Sequence, residues 1–362
     1  MPGRKELRSI RIKAESGGNG VRVAPRFLWR GNGETIEDQR EVVKVEEQIG
    51  IFGGSDRTYI PKLMAGLELA ETEATFEQIG DLFLMAGFGT SGGNLAGSAQ
   101  GVSGSTNVQT LIAPGVTAFP TYSFTVEAGN GTAANDGWTE VMEYTLAEEV
   151  KLTFKGGEGM KVSASLIGRQ GTATNAVGTF SNVGTLVQVE EILSGLGSFW
   201  LTPAGSAFGT GQVTAGNILA GEITYKPTWA LKYPVDSGQL SYATAVYTGM
   251  EISGQLTLEA QTSGTYGAWG SAGQKEKWRA ELAQLLQMTW RGGAIPAGTT
   301  YLFKELTIQH PIKWESFDAL DDQDGNDTIN ATFFSKYNQD TPAAGRGTII
   351  IARQGTSEFS GA

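Results

Sequence analysis

Few residues in this chain have the types and spacing that chemistry requires, and their contexts turn most of them aside. Gly87-Phe88-Gly89-Thr90-Ser91-Gly92 satisfies the GxGxxG spacing of a dinucleotide loop, but such a loop works between a strand and the helix whose N-terminus holds the phosphates. Here the glycines follow a helical pattern and lead into coil, so no nucleotide site is expected. Gly89-Thr90-Ser91-Gly92-Gly93 matches the GxSxG elbow of a hydrolase, which needs a strand before the serine and a histidine to take its proton. The single histidine, His310, precedes Pro311 among apolar neighbours and reads as a half-buried strand residue. Asp321, Asp322, Asp324 and Asp327 form the densest carboxylate group. In a calcium-loop frame set by Gly325, Leu320 occupies the first ligand position and Ala331 that of the bidentate glutamate. Asp324-Gly325 is by itself a hairpin-turn signal, and a turn is expected. The 38 acidic residues single out no pair for glycoside hydrolysis. Trp200, Trp229, Trp269 and Trp290 fit core and interface use better than sugar platforms. The expectation is a protein without enzymatic activity: no catalytic, cofactor-binding or metal site.

The residues that stand out belong to architecture. Val150, Leu152 and Phe154 alternate with Lys151, Thr153 and Lys155; after Gly156-Gly157-Glu158-Gly159, Met160, Val162, Ala164 and Leu166 alternate with Lys161, Ser163 and Ser165. Period two means a β-hairpin with one oily face and one of hydroxyls and lysines. The pattern returns near the C-terminus. Leu306 and Ile308 alternate with Glu305, Thr307 and Gln309, and past the turn at Asp324-Gly325, Ile329, Ala331 and Phe333 alternate with Thr328, Asn330 and Thr332. Laying Val162–Leu166 on Ile329–Phe333 preserves every face, so the chain reads as a duplication. Its 362 residues are long for one core, which gives two domains, 1–175 and 176–362, joined near residues 170–185.

Composition narrows the class. With 51 glycines and 18% charged residues the chain suits short strands and many turns, hence mainly β. It has no cysteine, which excludes disulfides, thiolate metal sites and cysteine nucleophiles. The basic N-terminal stretch is followed by no apolar segment, and no eighteen consecutive apolar residues occur, so a soluble chain not exported by the general route is expected. A net charge of −11 argues against binding nucleic acid by phosphate neutralisation. It suits a conduit whose wall must not retain DNA.

Other elements are read from periodicity. Strands are expected at Leu7–Ala14, Leu63–Glu71, Tyr122–Glu127, Ala220–Ala230, Leu240–Val246 and Met250–Glu259, with Leu256 and Leu258 falling where Leu67 and Leu69 fall. Amphipathic helices are expected at Thr75–Phe88, capped by Thr72 or Thr75 and stopped by Gly87 and Gly89, and at Lys275–Arg291. The second would place Trp278, Leu282, Leu285 and Leu286 on one face and pair Glu281 with Lys277. Residues 24–58 read as a long irregular arm, either solvated or reaching a neighbouring subunit. Residues 89–110, poor in large apolar groups, read as a surface loop.

The run AEEVKLTFKGGEGMKVSASLIGRQ (147–170), the strand LMAGLELAE (63–71) with its following helix, and TINATFFSKYN (328–338) together resemble the major tail tube proteins of long, flexible-tailed bacteriophages. The resemblance covers most of the chain and rests on alternation and order of elements. It implies two tandem tail-tube-like β-sandwich domains, each with a packing helix and a long hairpin that contributes to an oligomeric β-barrel. The duplication resembles the two-domain tube proteins of very long-tailed phages of hot-spring bacteria, and implies homotrimeric rings of sixfold appearance stacked into a tube. Implied partners are further copies of the chain and the tail terminator, tape measure and baseplate proteins. DNA would pass through the lumen without specific binding, no membrane would be involved, and the location would be the virion tail, assembled in the host cytoplasm. Lys151, Thr153, Lys161, Ser163, Ser165, Thr328, Asn330 and Thr332 would line the lumen. Exposed strand edges make the same demand, since a closed ring removes them. The alternatives are a tube of a contractile or secretion apparatus and a carbohydrate-binding or depolymerase module of a virion.

Overall fold

The computed structural model describes residues 8–15, 19–23, 27–46, 57–90, 98–100, 106–113, 122–130, 138–170, 189–211, 213, 218–235, 238–260, 273–295, 301–323, 325–336 and 347–354. In chain order, β1 (Arg8–Ala14), β2 (Phe27–Leu28), β3 (Glu37–Arg40), β4 (Val43–Lys44), β5 (Thr58–Tyr59) and β6 (Leu63–Glu73) precede the helix α1 (Ile79–Met85). Next, β7 (Gly89–Thr90), β8 (Ser98–Gln100), β9 (Thr106–Ile112) and β10 (Phe124–Asn130) lead to β11 (Trp138–Lys155) and β12 (Lys161–Gln170). The second half holds β13 (Gly197–Pro203), β14 (Ile218–Lys232), β15 (Thr244–Glu259), α2 (Gln274–Arg279), β16 (Gln284–Ala294), β17 (Phe303–Phe317), β18 (Asp321–Gln323), β19 (Asn326–Ser335) and β20 (Thr348–Gln354). The protein is mainly β, in antiparallel sheets.

The hairpin β11–β12 has the faces its alternation dictates. Val150, Leu152, Phe154, Val162, Ala164 and Leu166 are buried, with Leu152 opposite Val162 and Val150 opposite Ala164. Pairing continues outward on both sides, giving a run in the order β3, β6, β12, β11, β14, β15, β19 and the C-terminal part of β17. The β11–β14 pair, from Val150↔Tyr225 to Lys155↔Ala220, makes one sheet of strands from both halves of the chain. Of the expected join, residues 171–185 lie outside the described residues.

Two long strands turn corners and so close the core. Along one edge β11 carries β10 as far as Thr145 and then β14 from Val150, past bulges that include Tyr144 at φ 50. Likewise β17 carries β20 through Gln309 and then β19 from Ile312. Strands that switch sheets through bulges fold one layer over the other. Between the layers the larger of two apolar clusters among the described residues spans both halves. Phe154 of the first half meets Trp290 of the second at 5.2 Å, and Phe83 meets Tyr225 at 5.1 Å.

The helices depart most from expectation. Only Ile79–Met85 is α-helical in the first, its N-cap is Gln78 with no side-chain cap, and all seven residues are buried. It is a core helix without a wet face; Gly87, at φ 87, does follow its end. The second is six residues long, ending at Arg279 before Glu281 adopts φ 53. Residues 284–294 are then a strand paired with β13 and β17, with Leu285, Leu286, Met288 and Trp290 buried. A short apolar run fits either period, and here strands on both sides decided. The expected shared face therefore does not form: Leu282 is exposed, and Lys277 Nζ donates to Gln284 Oε1 at 3.5 Å.

Other corrections follow from pairing at long range. Residues 106–112, expected in a surface loop, form β9 along β20, with Gln109 and Leu111 fully buried. Residues 27–40 of the expected arm lie on the body, β2 against β1 and β3 against β6. The strands expected at 240–246 and 250–259 are largely one, β15. Leu306 and Ile308 pair with β16 and β20, while the hairpin partner of β19 begins at Ile312. Where Leu69 faces Ala164, Leu256 faces Ala331, so Leu256, not Leu258, is the structural counterpart of Leu69. A shift of two residues keeps the faces.

Candidate assembly surface

The eight-strand run has one dry face and one wet face. On the wet face Lys151 Nζ lies 2.7 Å from Glu222 and Lys226 Nζ 3.1 Å from Glu149, both pairs bridging β11 and β14. The hydrogen bond to Glu222 raises the Lys151 pKa. Ser165 Oγ donates to Glu68 Oε1 at 2.6 Å, and Thr257 Oγ1 to Asn330 Oδ1 at 2.8 Å. Exposed cross-strand pairs of this kind contribute a few tenths of a kcal/mol to about 1 kcal/mol each. Of the residues expected on this wall, Lys151, Thr153, Lys161, Ser163, Ser165, Asn330 and Thr332 are partly exposed. Thr328 is buried, at 3%, under the turn that returns Asp321 alongside it.

The run ends in short strands that are paired on one side only among the described residues. At one end β3 bonds β6 alone and all four of its residues are exposed. At the other end the part of β17 beyond Ile312 and the short β18 each bond β19 alone. That part of β17 is partly covered by Trp278, whose indole N–H donates to the Glu315 carbonyl at 3.0 Å. A pocket of about 310 Å³ opens there, lined by Trp278, Leu282, Trp314 and Phe334 with Lys313 and Glu315.

The chemically suggestive residues have structural surroundings. His310 is fully buried, its Nε2 3.0 Å from the Tyr225 hydroxyl. Burial pushes its pKa down to about 3, so the ring is neutral at physiological pH. Asp322 Oδ1 accepts the Gly325 N–H at 2.8 Å in the β18–β19 turn, where Gly325 has φ 84. Among the described residues no three His, Asp or Glu side chains gather as metal ligands. Gly89-Thr90 forms β7; Ser91-Gly92-Gly93, Asp324 and Trp269 lie outside the described residues. Trp290 is fully buried and Trp229 Nε1 donates to the Ala147 carbonyl at 2.7 Å.

Sequence reasoning missed a buried polar network around α1. Arg353 donates to the Glu77 carbonyl at 3.0 Å and to Gln109 Oε1 at 3.3 Å. Lys304 bridges Glu77 at 2.7 Å and Glu190 at 3.0 Å. Asp81, on α1, is buried with neither oxygen hydrogen-bonded among the described residues. Its burial raises the pKa to about 7, against the attraction of Arg353. Asp81 in an otherwise apolar helix was the one sequence signal. No protein-family model matches the chain, and no curated protein matches it either.

Proposed function

We propose that this chain is a structural subunit, without enzymatic activity, of a phage tail tube, whose rings form the conduit for DNA. The observation that carries the reading is the continuous eight-strand run, apolar on one face and polar on the other, with a short strand edge at each end. Open edges are closed by pairing with another chain, and a ring of copies leaves none. At about 4.8 Å per strand the run is about 38 Å wide; three copies close a ring about 37 Å across before strand tilt widens it. Such a bore, walled by ion-paired lysines and by hydroxyls that hydrogen-bond along the wall, admits a nucleic-acid duplex without holding it. The similar strand pairs β6–β12 and β15–β19 supply the two quasi-equivalent positions that make three chains look sixfold. On this reading the partners are further copies and the proteins that terminate, measure and anchor a tail, and the location is the virion.

The test is electron microscopy of the purified protein with mass measurement of its rings. Annular particles of pseudo-sixfold symmetry and three chains' mass are expected. Monomers at every concentration would overturn the reading; six whole chains per ring would overturn the duplication.

A further inference from the structure

The two ends of the sheet run, taken along the strands, differ in charge although the chain is strongly acidic overall. One end is marked by Arg40, Leu63 and the tip of the β14–β15 hairpin, which are neighbours in register. Its exposed cations are Arg40, Lys44, Arg57, Lys62 and Lys232, set against Asp38, Glu41 and Glu46. Large apolar side chains stand out beside them: Tyr59 is 54% exposed, Leu240 49% and Val235 fully. Arg169 holds this tip firmly, donating to the Tyr242 carbonyl at 2.6 Å and stacking on the Tyr144 ring at 4.8 Å. The opposite end carries Glu73, the β11–β12 turn and the β18–β19 turn. Glu73, Glu158, Asp318, Asp321, Asp322 and Asp327 are exposed there against Lys155 and Lys161. Leu193, Leu196 and Leu320, each about half exposed, are its apolar counterparts.

We infer that these ends are the two halves of a head-to-tail contact between copies of this chain, the basic end of one seated on the acidic end of the next. The inference rests on the tube reading and names the contact by which its rings stack. Unlike patches at opposite ends of one molecule make a heterologous contact, which propagates as a filament instead of closing as a dimer. Opposite charge sets polarity and encounter, while the apolar residues supply the dry centre. Such a contact gives a stack of one direction only.

The experiment uses the full chain with the variants Lys44→Glu/Lys232→Glu and Glu73→Lys/Glu158→Lys/Asp318→Lys, all exposed positions outside β3, β18 and the end of β17. Rings are prepared separately, checked for folding by urea midpoint, and scored for stacking by sedimentation and microscopy. Each variant alone should form rings but about tenfold fewer stacks. Mixing the two kinds of ring, one with both ends acidic and the other with both basic, should restore stacking. Stacks of the unaltered chain should shorten as salt rises from about 0.1 M to about 1 M, which cuts the screening length from about 10 Å to about 3 Å. Single-end variants that stack normally, or mixed rings that stay apart, overturn the inference and leave the ring standing. An unaltered chain that forms no rings overturns the tube reading as well.

Discussion

Three substitutions in β12 separate the dry face from the wet one within four residues. Leu166 is 1% exposed and lies opposite Leu67 and Ala147. Leu166→Ala should cost about 2–5 kcal/mol, the lost transfer energy plus that of the cavity. Ser165 donates to Glu68, so Ser165→Asp exchanges a hydrogen bond for two carboxylates at close range. At about 4 Å their repulsion is about 1 kcal/mol in water and about 4 kcal/mol near a protein surface; Glu68 is exposed, and the lower figure applies. Ser163 faces Lys151 across the strand pair, and Ser163→Asp should be neutral or stabilise by a few tenths of a kcal/mol. The assay is urea denaturation of dissociated protein at neutral pH, comparing midpoints at constant slope. The expected order of stability is Ser163→Asp, then Ser165→Asp, then Leu166→Ala. If Ser163→Asp proves as damaging as Leu166→Ala, the wet face is not wet. If the two aspartate variants match, the Lys151 and Glu68 neighbourhoods do not differ as the geometry requires.

Asp81 should make folding less stable as pH rises. Its carboxyl is raised to about 7 by burial in the fold, so the folded state holds its proton where the unfolded state has lost it, between about pH 4 and 7. Three units correspond to about 4 kcal/mol, a ceiling. Asp81→Asn should remove that slope in urea midpoints measured across this window; a profile parallel to the unaltered protein's would refute the assignment. Gly254 sits where an added Cβ would lie 2.5 Å from the Glu222 carbonyl and against the Phe333 ring. Gly254→Ala should therefore cost about 1–3 kcal/mol through overpacking, and an unchanged melting temperature would count against the β14–β15–β19 packing.

Alternation along the chain determined the β class, the β11–β12 hairpin and the dry and wet faces at Val150–Leu166 and Ile329–Phe333. Side-chain parity is a local property, because neighbouring residues in a strand must point to opposite sides. Composition alone fixed the absence of thiol chemistry. What tertiary structure decided is partnership. Leu285–Trp290, expected as helix, is a strand because β13 and β17 take both its edges. Gln109 looks too polar to bury until Arg353, brought beside it by β20, satisfies its oxygen. The pairing of β11 with β14, which turns two hairpins into one eight-strand run, joins residues some seventy positions apart. Likewise, the two charged ends exist only because separate turns meet along that run. Periodicity reports which way a side chain points, and carries no information about which strand arrives opposite it; that is settled by packing between segments the chain itself keeps apart.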